Sequence, residues 1–232
     1  MIHATAVNSI CILRLSALGD ATHVLPLIHT LRTHNPDCRI TWILGKAEAK
    51  LMQGLEGVEL IAFDKKSGLA GLKALSRQLD GRRFDVLLQM QLALRANLIS
   101  SVISAKRRIG YDKKRAKEGH GLFINERIRH AHHHVLDVFG LFAEPLGARQ
   151  TVVEWKMPVP QADHDWAKQQ WPEGKPCLLI SACSSHPLRN WLPERYAAVA
   201  RHAQANGWQV ELCGGGSALE RTMGDAIRAE MP

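Results

Sequence analysis

The sequence has few cysteines, and no two of them have the close spacing that zinc sites use. Its 232 residues contain five, and no CxxC pair occurs among them. Because the count is odd and the spacing irregular, we expect neither a disulfide scaffold nor a structural zinc site. Reduced thiols are typical of a cytoplasmic protein. The cysteines are Cys11, Cys38, Cys177, Cys183 and Cys213.

The sequence also lacks a long apolar run. Its N-terminus has no basic stretch followed by an apolar segment, so we expect no secretion signal. Residues 86–105 carry a single charge, Arg95, but also six Gln, Asn and Ser side chains. That is too polar for a membrane-spanning helix of about 20 residues. We predict a buried strand followed by an amphipathic helix.

What the sequence has in excess is positive charge in one segment. The formal net charge is +8, and residues 105–129 hold nine basic and three acidic residues. This cluster indicates an anionic partner (phosphates, nucleic acid or an anionic membrane surface) or a solvated basic loop. Only Tyr111 and Phe123 are aromatic there, which argues against a nucleic-acid partner. The basic residues are Lys106, Arg107, Arg108, Lys113, Lys114, Arg115, Lys117, Arg127 and Arg129.

Short apolar runs alternate with helical patterns along the chain. This alternation predicts an α/β fold with parallel sheets and crossover helices. Pro158 and Pro160 indicate a linker, so we expect domains at 1–155 and 176–232 joined by residues 156–175. The second domain has only two predicted strands and therefore looks incomplete. The predicted strands are Ser9–Leu15, Arg39–Leu44, Val58–Phe63, Asp85–Met90, Arg107–Tyr111, Cys177–Ala182 and Trp208–Cys213.

The first candidate site follows the first strand, in the segment RLSALGD at 14–20. Ligands of open α/β sheets bind at that edge. Gly19 permits close approach of a ligand, and Asp20 is either a general base or a helix cap. The segment does not match GxGxxG, so we expect no nicotinamide or other dinucleotide cofactor.

Three further segments contain polar or glycine clusters. Hydroxyls and Arg189 in the loop at 181–193 suit a diphosphate, or form only a capped loop. The glycines at 214–216 allow a nucleotide to pass close to the backbone, or form only a turn. The histidines at 130–134 lack nearby ligands at a usual metal spacing, so we predict no metal site.

Taken together, these segments resemble the bacterial heptosyltransferases of glycosyltransferase family 9. The resemblance runs through nearly the whole chain, and SxLGD followed by HxLP is its most specific part. The matching segments are RLSALGDATHVLPLIHTLR at 14–32, FDVLLQMQLALRANLISSVISAKRRIGYD at 84–112, HHVLDVFGLFAEPLG at 133–147, SACSSHPLRNWLPERYAAVARHA at 181–203 and VELCGGGSALE at 210–220.

The resemblance implies a GT-B arrangement of two Rossmann-like domains and metal-independent transfer of heptose from ADP-heptose to the lipopolysaccharide core, with inversion. It implies Asp20 as the catalytic base and an acceptor site in the N-terminal domain. The expected acceptor-binding residues are Ser16, Gly19, His23, Lys113, Lys114, Arg115, Lys117 and His134. The expected donor-binding residues are Ser184, Ser185, Arg189, Gly214, Gly215 and Glu220.

The sequence departs from the family in two places. It has Gln89-Met90-Gln91-Leu92 where many members have Asp-x-Gln-Gly, and it ends before a further Asp-Ser-Gly motif. We therefore expect a truncated chain, whose alternative function is to bind an anionic glycolipid acceptor without catalysis. The family implies a cytoplasmic location with peripheral contact to the inner membrane.

Overall fold

A computed structural model describes residues 7–131, 134–148, 150–171, 174–184 and 186–231. Its contacts divide the chain into two compact units, Met1–Val159 and Pro160–Pro232. A helix of the second unit, Gln161–Gln170, lies inside the predicted linker 156–175, and the limits of that linker stay a prediction. Within the described ranges, no helix has both the length and the apolar character needed to cross a membrane.

The first unit contains a six-stranded sheet in which every neighbouring pair is parallel. The spatial order is β3-β2-β1-β4-β5-β6. Five of these strands were predicted, and the first four of them are short apolar runs. The sixth has two polar residues and no such signal. The strands are β1 (Ser9–Leu13), β2 (Arg39–Gly45), β3 (Val58–Phe63), β4 (Phe84–Gln89), β5 (Ala105–Gly110) and β6 (Glu126–Arg127).

Helices cover both faces of this sheet. One face packs against α2, α3 and α6 around the fully buried Trp42 and Phe142, and the other packs against α4 and α5. The predicted buried strand and amphipathic helix at 86–105 are thus present as β4 and α5. The helices are α1 (Leu18–Thr22), α2 (Val24–His34), α3 (Lys46–Leu51), α4 (Gly68–Gln78), α5 (Leu94–Ser100) and α6 (Val135–Gly140).

The helical segment that follows β1 is divided in two. α1 ends at Thr22 and α2 begins at Val24, with His23 between them. Pro26 is the third residue of α2, where a missing backbone N–H costs no intrahelical bond. The division leaves α1 as a short element directly after β1.

The strand order fixes where a ligand crevice forms. The chain leaves β1 toward β2 on one side and later enters β4 on the other, so the order reverses between β1 and β4. The carboxyl ends of these two strands are level, since Leu13 pairs with Gln89. Ligands of doubly wound sheets bind outside this reversal point.

The second unit has a two-stranded parallel sheet with helices packed on it. Ile180 of β7 pairs with Leu212 of β8, and α8 and α9 pack against each other. Leu179 is 58% exposed, so the sheet is open to solvent at that position. The elements are α7 (Gln161–Gln170), β7 (Cys177–Ile180), α8 (Pro193–Ala205), β8 (Gln209–Leu212) and α9 (Ala218–Ala229).

Candidate functional site

The loops after β1 and β4 are joined by the side chain of Gln91. Its Oε1 accepts a hydrogen bond from Leu15 N at 2.7 Å, and its Nε2 donates to Ser16 Oγ at 3.2 Å. Both loops are therefore fixed at the reversal point of the sheet. Sequence reasoning noted Gln91 only as part of a departure from the family, because its partners lie about 76 residues away in sequence.

Asp20 occupies the third position of α1, beside this crevice. One carboxylate oxygen, Oδ2, accepts from Arg14 Nη2 and from Ala17 N at 3.4 Å. The side chain of Asp20 is 38% exposed. Asp20 therefore caps α1 only through its long hydrogen bond from Ala17 N. The exposure leaves the carboxylate accessible to a substrate hydroxyl.

Arg14 is the residue that positions Asp20. Its side chain is only 13% exposed, and its Nη1 donates to Met90 O at 2.6 Å. Its guanidinium also lies 5.3 Å from the ring centre of Phe139. Arg14 therefore connects β1, the end of β4 and α6, and it presents a fixed cation to Asp20. No pattern in the sequence indicated this role.

Three aromatic rings meet next to α1. The ring centres of His23 and His134 are 5.7 Å apart, and those of His23 and Trp155 are 6.2 Å apart in an edge-on arrangement. The Nδ1 atom of His23 donates to Gly19 O at 2.7 Å. Trp155 is 44% exposed and was missed by sequence reasoning. It lies in the extended segment after the first unit's last helix.

Gly19 has no conformational reason to be glycine. Its φ is not positive, and a Cβ placed on it would meet no atom within 4 Å. The space beside it is therefore open, on the same short helix as Asp20. This agrees with the expectation that a ligand approaches the backbone at this point.

Most of the basic cluster is used inside the protein. Arg107 pairs with Glu126 through two bonds of 2.7 Å, and Arg108 donates to three backbone carbonyls. Arg115, predicted to bind the acceptor, pairs with Asp112 at 2.9 Å and is largely buried. The other internal partners are Asp85 for Lys106, Tyr111 O for Arg127 and Glu144 for Arg129.

The three lysines that are predicted to bind the acceptor are not among these six paired residues. Lys113, Lys114 and Lys117 are exposed, and none of them makes a side-chain ion pair with any residue that the structure describes. They lie in the loop that follows β5, at the carboxyl edge of the sheet. They are therefore the members of the cluster that remain available to an anion.

A buried polar chain supports this edge of the sheet. His120 Nδ1 donates to Asn97 Oδ1 at 3.0 Å, and His120 Nε2 accepts from Tyr111 N at 3.1 Å. Burial, with a smaller contribution from Arg127, lowers the pKa of His120 to about 4. Tyr111 in turn donates its hydroxyl to Met90 O at 3.2 Å, and burial raises its pKa to about 12. Both rings are thus structural groups in their neutral forms.

In the second unit, the predicted diphosphate loop is held by its own side chains. Ser184 N donates to Asn190 Oδ1 at 2.7 Å, and Ser184 Oγ donates to His186 O at 3.0 Å. Arg189 is exposed and ends a single 3-10 turn, Pro187–Arg189. Ser185 lies outside the described residues. Helix α8 begins immediately after this loop, with Pro193 at its first position.

Glu220 closes the glycine-rich loop. Its two carboxylate oxygens accept from Gly215 N at 2.7 Å and from Ser217 N at 2.8 Å. The Ser217 hydroxyl, followed by these backbone N–H groups, lowers the pKa of Glu220 to about 2. The loop borders a cavity of about 360 Å³ whose lining includes Cys183, Gly214 and Arg221. A nucleotide-sized recess therefore lies beside the carboxyl ends of β7 and β8.

No metal centre was found in the part of the chain that the structure describes. Within those ranges, no three His, Cys, Asp or Glu side chains are grouped to hold an ion. Of the histidine cluster, His132 and His133 lie outside the described residues. His134 caps α6 by accepting from Leu136 N at 3.3 Å.

Comparisons with known proteins identify relatives of the whole chain. A family model described as glycosyltransferase family 9 (heptosyltransferase) matches residues 72–232. The lipopolysaccharide core heptosyltransferase OpsX of Haemophilus influenzae is 40% identical over 225 residues, which are 97% of this chain and 65% of that protein. The chain thus spans just under two thirds of that relative's length. The aligned 225 residues include Asp20, whereas the family match begins after it.

Three solved structures share the fold. A family 9 glycosyltransferase from Veillonella parvula has a TM-score of 0.82 at 19% identity, covering 98% of this chain and 68% of that one. The heptosyltransferase WaaC of E. coli, solved with ADP-2-deoxy-2-fluoro heptose, has a TM-score of 0.75 at 18% identity. The match covers 94% of this chain and 72% of that one. E. coli ADP-heptose lps heptosyltransferase II has a TM-score of 0.78 at 18% identity. The match covers 97% of this chain and 69% of that one. The predicted GT-B class of α/β fold is confirmed.

Proposed function

The chain belongs to glycosyltransferase family 9, the heptosyltransferase family, and on that premise we propose that it transfers a heptose from ADP-heptose to the inner core of lipopolysaccharide. The Haemophilus influenzae relative is a lipopolysaccharide core heptosyltransferase, which supports the acceptor, and the ligand of the E. coli WaaC structure supports the donor. The setting that we propose is the cytoplasmic face of the inner membrane.

The observation that carries this proposal is the placement of Asp20. Its carboxylate is exposed at the β1–β4 crevice and held from behind by Arg14. A sugar hydroxyl is a weak nucleophile at neutral pH, so transfer needs a base within reach of its proton. We assign that role to Asp20.

The reaction then proceeds in one displacement. The acceptor oxygen forms a bond to the anomeric carbon of the heptose, and its proton passes to Asp20. The bond between that carbon and the diphosphate breaks, and ADP departs with the electron pair from the opposite face. The configuration at the anomeric carbon inverts through an oxocarbenium-like transition state.

We assign acceptor binding to the first unit. His23, His134 and Trp155 offer ring faces and edges for a sugar beside Asp20. Lys113, Lys114 and Lys117 offer exposed cations for the phosphates and carboxylates of the core. Ser16 and Gly19 line the approach, and Arg115 acts by holding the lysine loop through Asp112.

We assign donor binding to the second unit. We assign to the exposed guanidinium of Arg189 and to the start of α8 the role of holding the negative charge that grows on the departing diphosphate. Ser184 and Ser185 belong to the same predicted contact. Gly214 and Gly215 leave room for the nucleotide, and Glu220 keeps their loop in shape.

Calorimetric titration of the chain with ADP and with ADP-heptose tests the donor assignment. We expect both to bind, and Arg189→Gln to weaken binding roughly tenfold, the loss typical of one charged hydrogen bond. A chain that binds neither ADP nor ADP-heptose would overturn the assignment. Binding of the core acceptor alone would instead favour an anionic glycolipid-binding protein without catalysis.

A further inference from the structure

A groove on the first unit presents leucine side chains to solvent. It has a volume of about 350 Å³ and lies between α4 and α5. Leu69 is 84% exposed, Leu94 50% and Leu98 49%, and Leu72 completes the apolar wall. We call these four residues the leucine groove. Such a concentration of exposed leucines marks an interaction surface.

The leucine groove lies at the same edge of the sheet as the proposed acceptor site. α4 follows β3 and α5 follows β4, so Leu69 and Leu94 both lie in first turns at the carboxyl ends of strands. The last residue of β3, Phe63, forms part of the groove wall. A partner bound here would therefore sit at the same edge of the sheet as Asp20.

The exposed charges around the groove are mostly positive. Arg95 lines it, Lys66 and Lys73 are exposed nearby in sequence, and neither α4 nor α5 contains a carboxylate. Lys65 also lines the groove but is paired with the buried Glu48 at 3.1 Å. The neighbouring Asp64 is already paired with Lys46 at 2.7 Å. Arg95 makes no ion pair with any residue in the described ranges. The leucine groove thus has a cationic border.

The lysine loop extends this border. Glu118 accepts from Leu94 N through its carboxylate, and Asn97 Nδ2 donates to Glu118 O at 3.0 Å. These bonds attach the loop that carries Lys113, Lys114 and Lys117 to the start of α5. Apolar and cationic side chains consequently form one continuous surface.

We propose that this surface docks the protein on an anionic lipid bilayer. The leucines enter the interface between headgroups and acyl chains, and Lys66, Arg95 and Lys117 meet lipid phosphates. A cationic border without a carboxylate on either helix matches the uniform negative charge of such a membrane. The docking requires neither ADP-heptose nor Asp20, so it goes beyond the proposed function and can fail independently of it.

Sedimentation with lipid vesicles tests the docking. We expect the chain to bind vesicles of phosphatidylcholine with phosphatidylglycerol and to bind phosphatidylcholine alone much less. Leu94→Gln with Leu98→Gln should weaken partition roughly tenfold or more, because two leucines no longer leave water. Arg95→Gln should weaken it on the order of fivefold, and only on anionic vesicles. The matched control is Leu51→Gln, since Leu51 is 39% exposed on α3, on the opposite face of the sheet.

Three results would overturn the docking. The first is a wild-type chain that does not bind anionic vesicles. The second is a leucine double variant that retains its thermal midpoint and binds as well as Leu51→Gln. The third is a concentration-dependent dimer, abolished by the double variant in the absence of lipid binding, which would make the groove an interface between protein copies.

Discussion

Arg14 and Asp20 form an ion pair at the carboxyl edge of the first sheet, with the arginine largely buried and the aspartate exposed. The pair links the end of β1 to the third residue of α1. Arg14 also donates to Met90 O and packs on Phe139, so the position of its cation is fixed by three elements. This arrangement orients a carboxylate that remains open to substrate, which is what a general base requires.

Gly19 provides a test that separates folding from ligand approach. Gly19→Ala adds a methyl group into open space at an ordinary φ, so we expect the thermal midpoint to stay unchanged or to rise slightly. The same methyl group occupies the approach to Asp20. We expect the KM for the acceptor to rise roughly tenfold, as measured by steady-state transfer. An unchanged acceptor KM would show that the ligand passes elsewhere.

Trp155 is expected to contribute a stacking face for an acceptor sugar. Trp155→Ala should raise the KM for the acceptor by about tenfold, and Trp155→Phe should restore most of the loss because a ring remains. The KM for ADP-heptose should not change. Trp208→Ala is the matched control, since Trp208 is also 44% exposed but lies in the second unit, directly before β8. Equal effects of the two alanine variants would contradict a specific role.

The lysine loop is expected to bind the anionic groups of the acceptor. Replacing Lys113, Lys114 and Lys117 together by Gln should raise the acceptor KM by about tenfold or more at low salt and by much less at high salt. Arg107→Gln is the contrasting variant, because Arg107 is paired with Glu126. It should lower the thermal midpoint and leave that KM unchanged. A lysine variant with normal KM at low salt would contradict the assignment.

The lowered pKa of His120 predicts how the folding stability of the protein depends on pH. Its pKa is about 4 in the folded protein and near 6.5 when unfolded. Above pH 6.5 the ring is neutral in both states and has no effect. As the pH falls from 6.5 toward 4, only the unfolded chain takes up the proton. Folding stability should therefore decline over that interval by up to about 3 kcal/mol.

The variant His120→Gln tests this account. A glutamine amide can still donate to Asn97 and accept from Tyr111 N, but it does not titrate. Thermal midpoints measured between about pH 7 and pH 5 should fall less steeply in the variant than in the wild type. The pKa of His29 is also lowered by burial, so it contributes with the same sign in both proteins. Parallel curves for the two proteins would contradict the assignment.

The elements of the fold were predictable where the sequence signal is local. The apolar runs of β1 to β4 and the proline in α2 identify these elements from a few neighbouring residues. β6 was not predictable, because Glu126 and Arg127 are polar and join the sheet only through their pairing with Ile109 and Gly110. Its position depends on tertiary contacts.

The candidate site was predictable to a smaller extent. Asp20 follows a strand in a recognisable segment, whereas Arg14, Gln91 and Trp155 act through contacts that the sequence does not display. Gln91 bonds to a backbone N–H about 76 residues away. The charge count likewise could not show that six of the nine cations at 105–129 have internal partners.

The role of Asp20 in transfer is tested most directly by the mass of the product. The chain is incubated with ADP-heptose and a core acceptor that lacks the heptose, and the acceptor is analysed by mass spectrometry. We predict that the wild type adds one heptose and that Asp20→Asn, with an unchanged thermal midpoint and unchanged ADP binding, is slower by about 10²- to 10⁴-fold. Addition of heptose by Asp20→Asn at the wild-type rate would contradict the account.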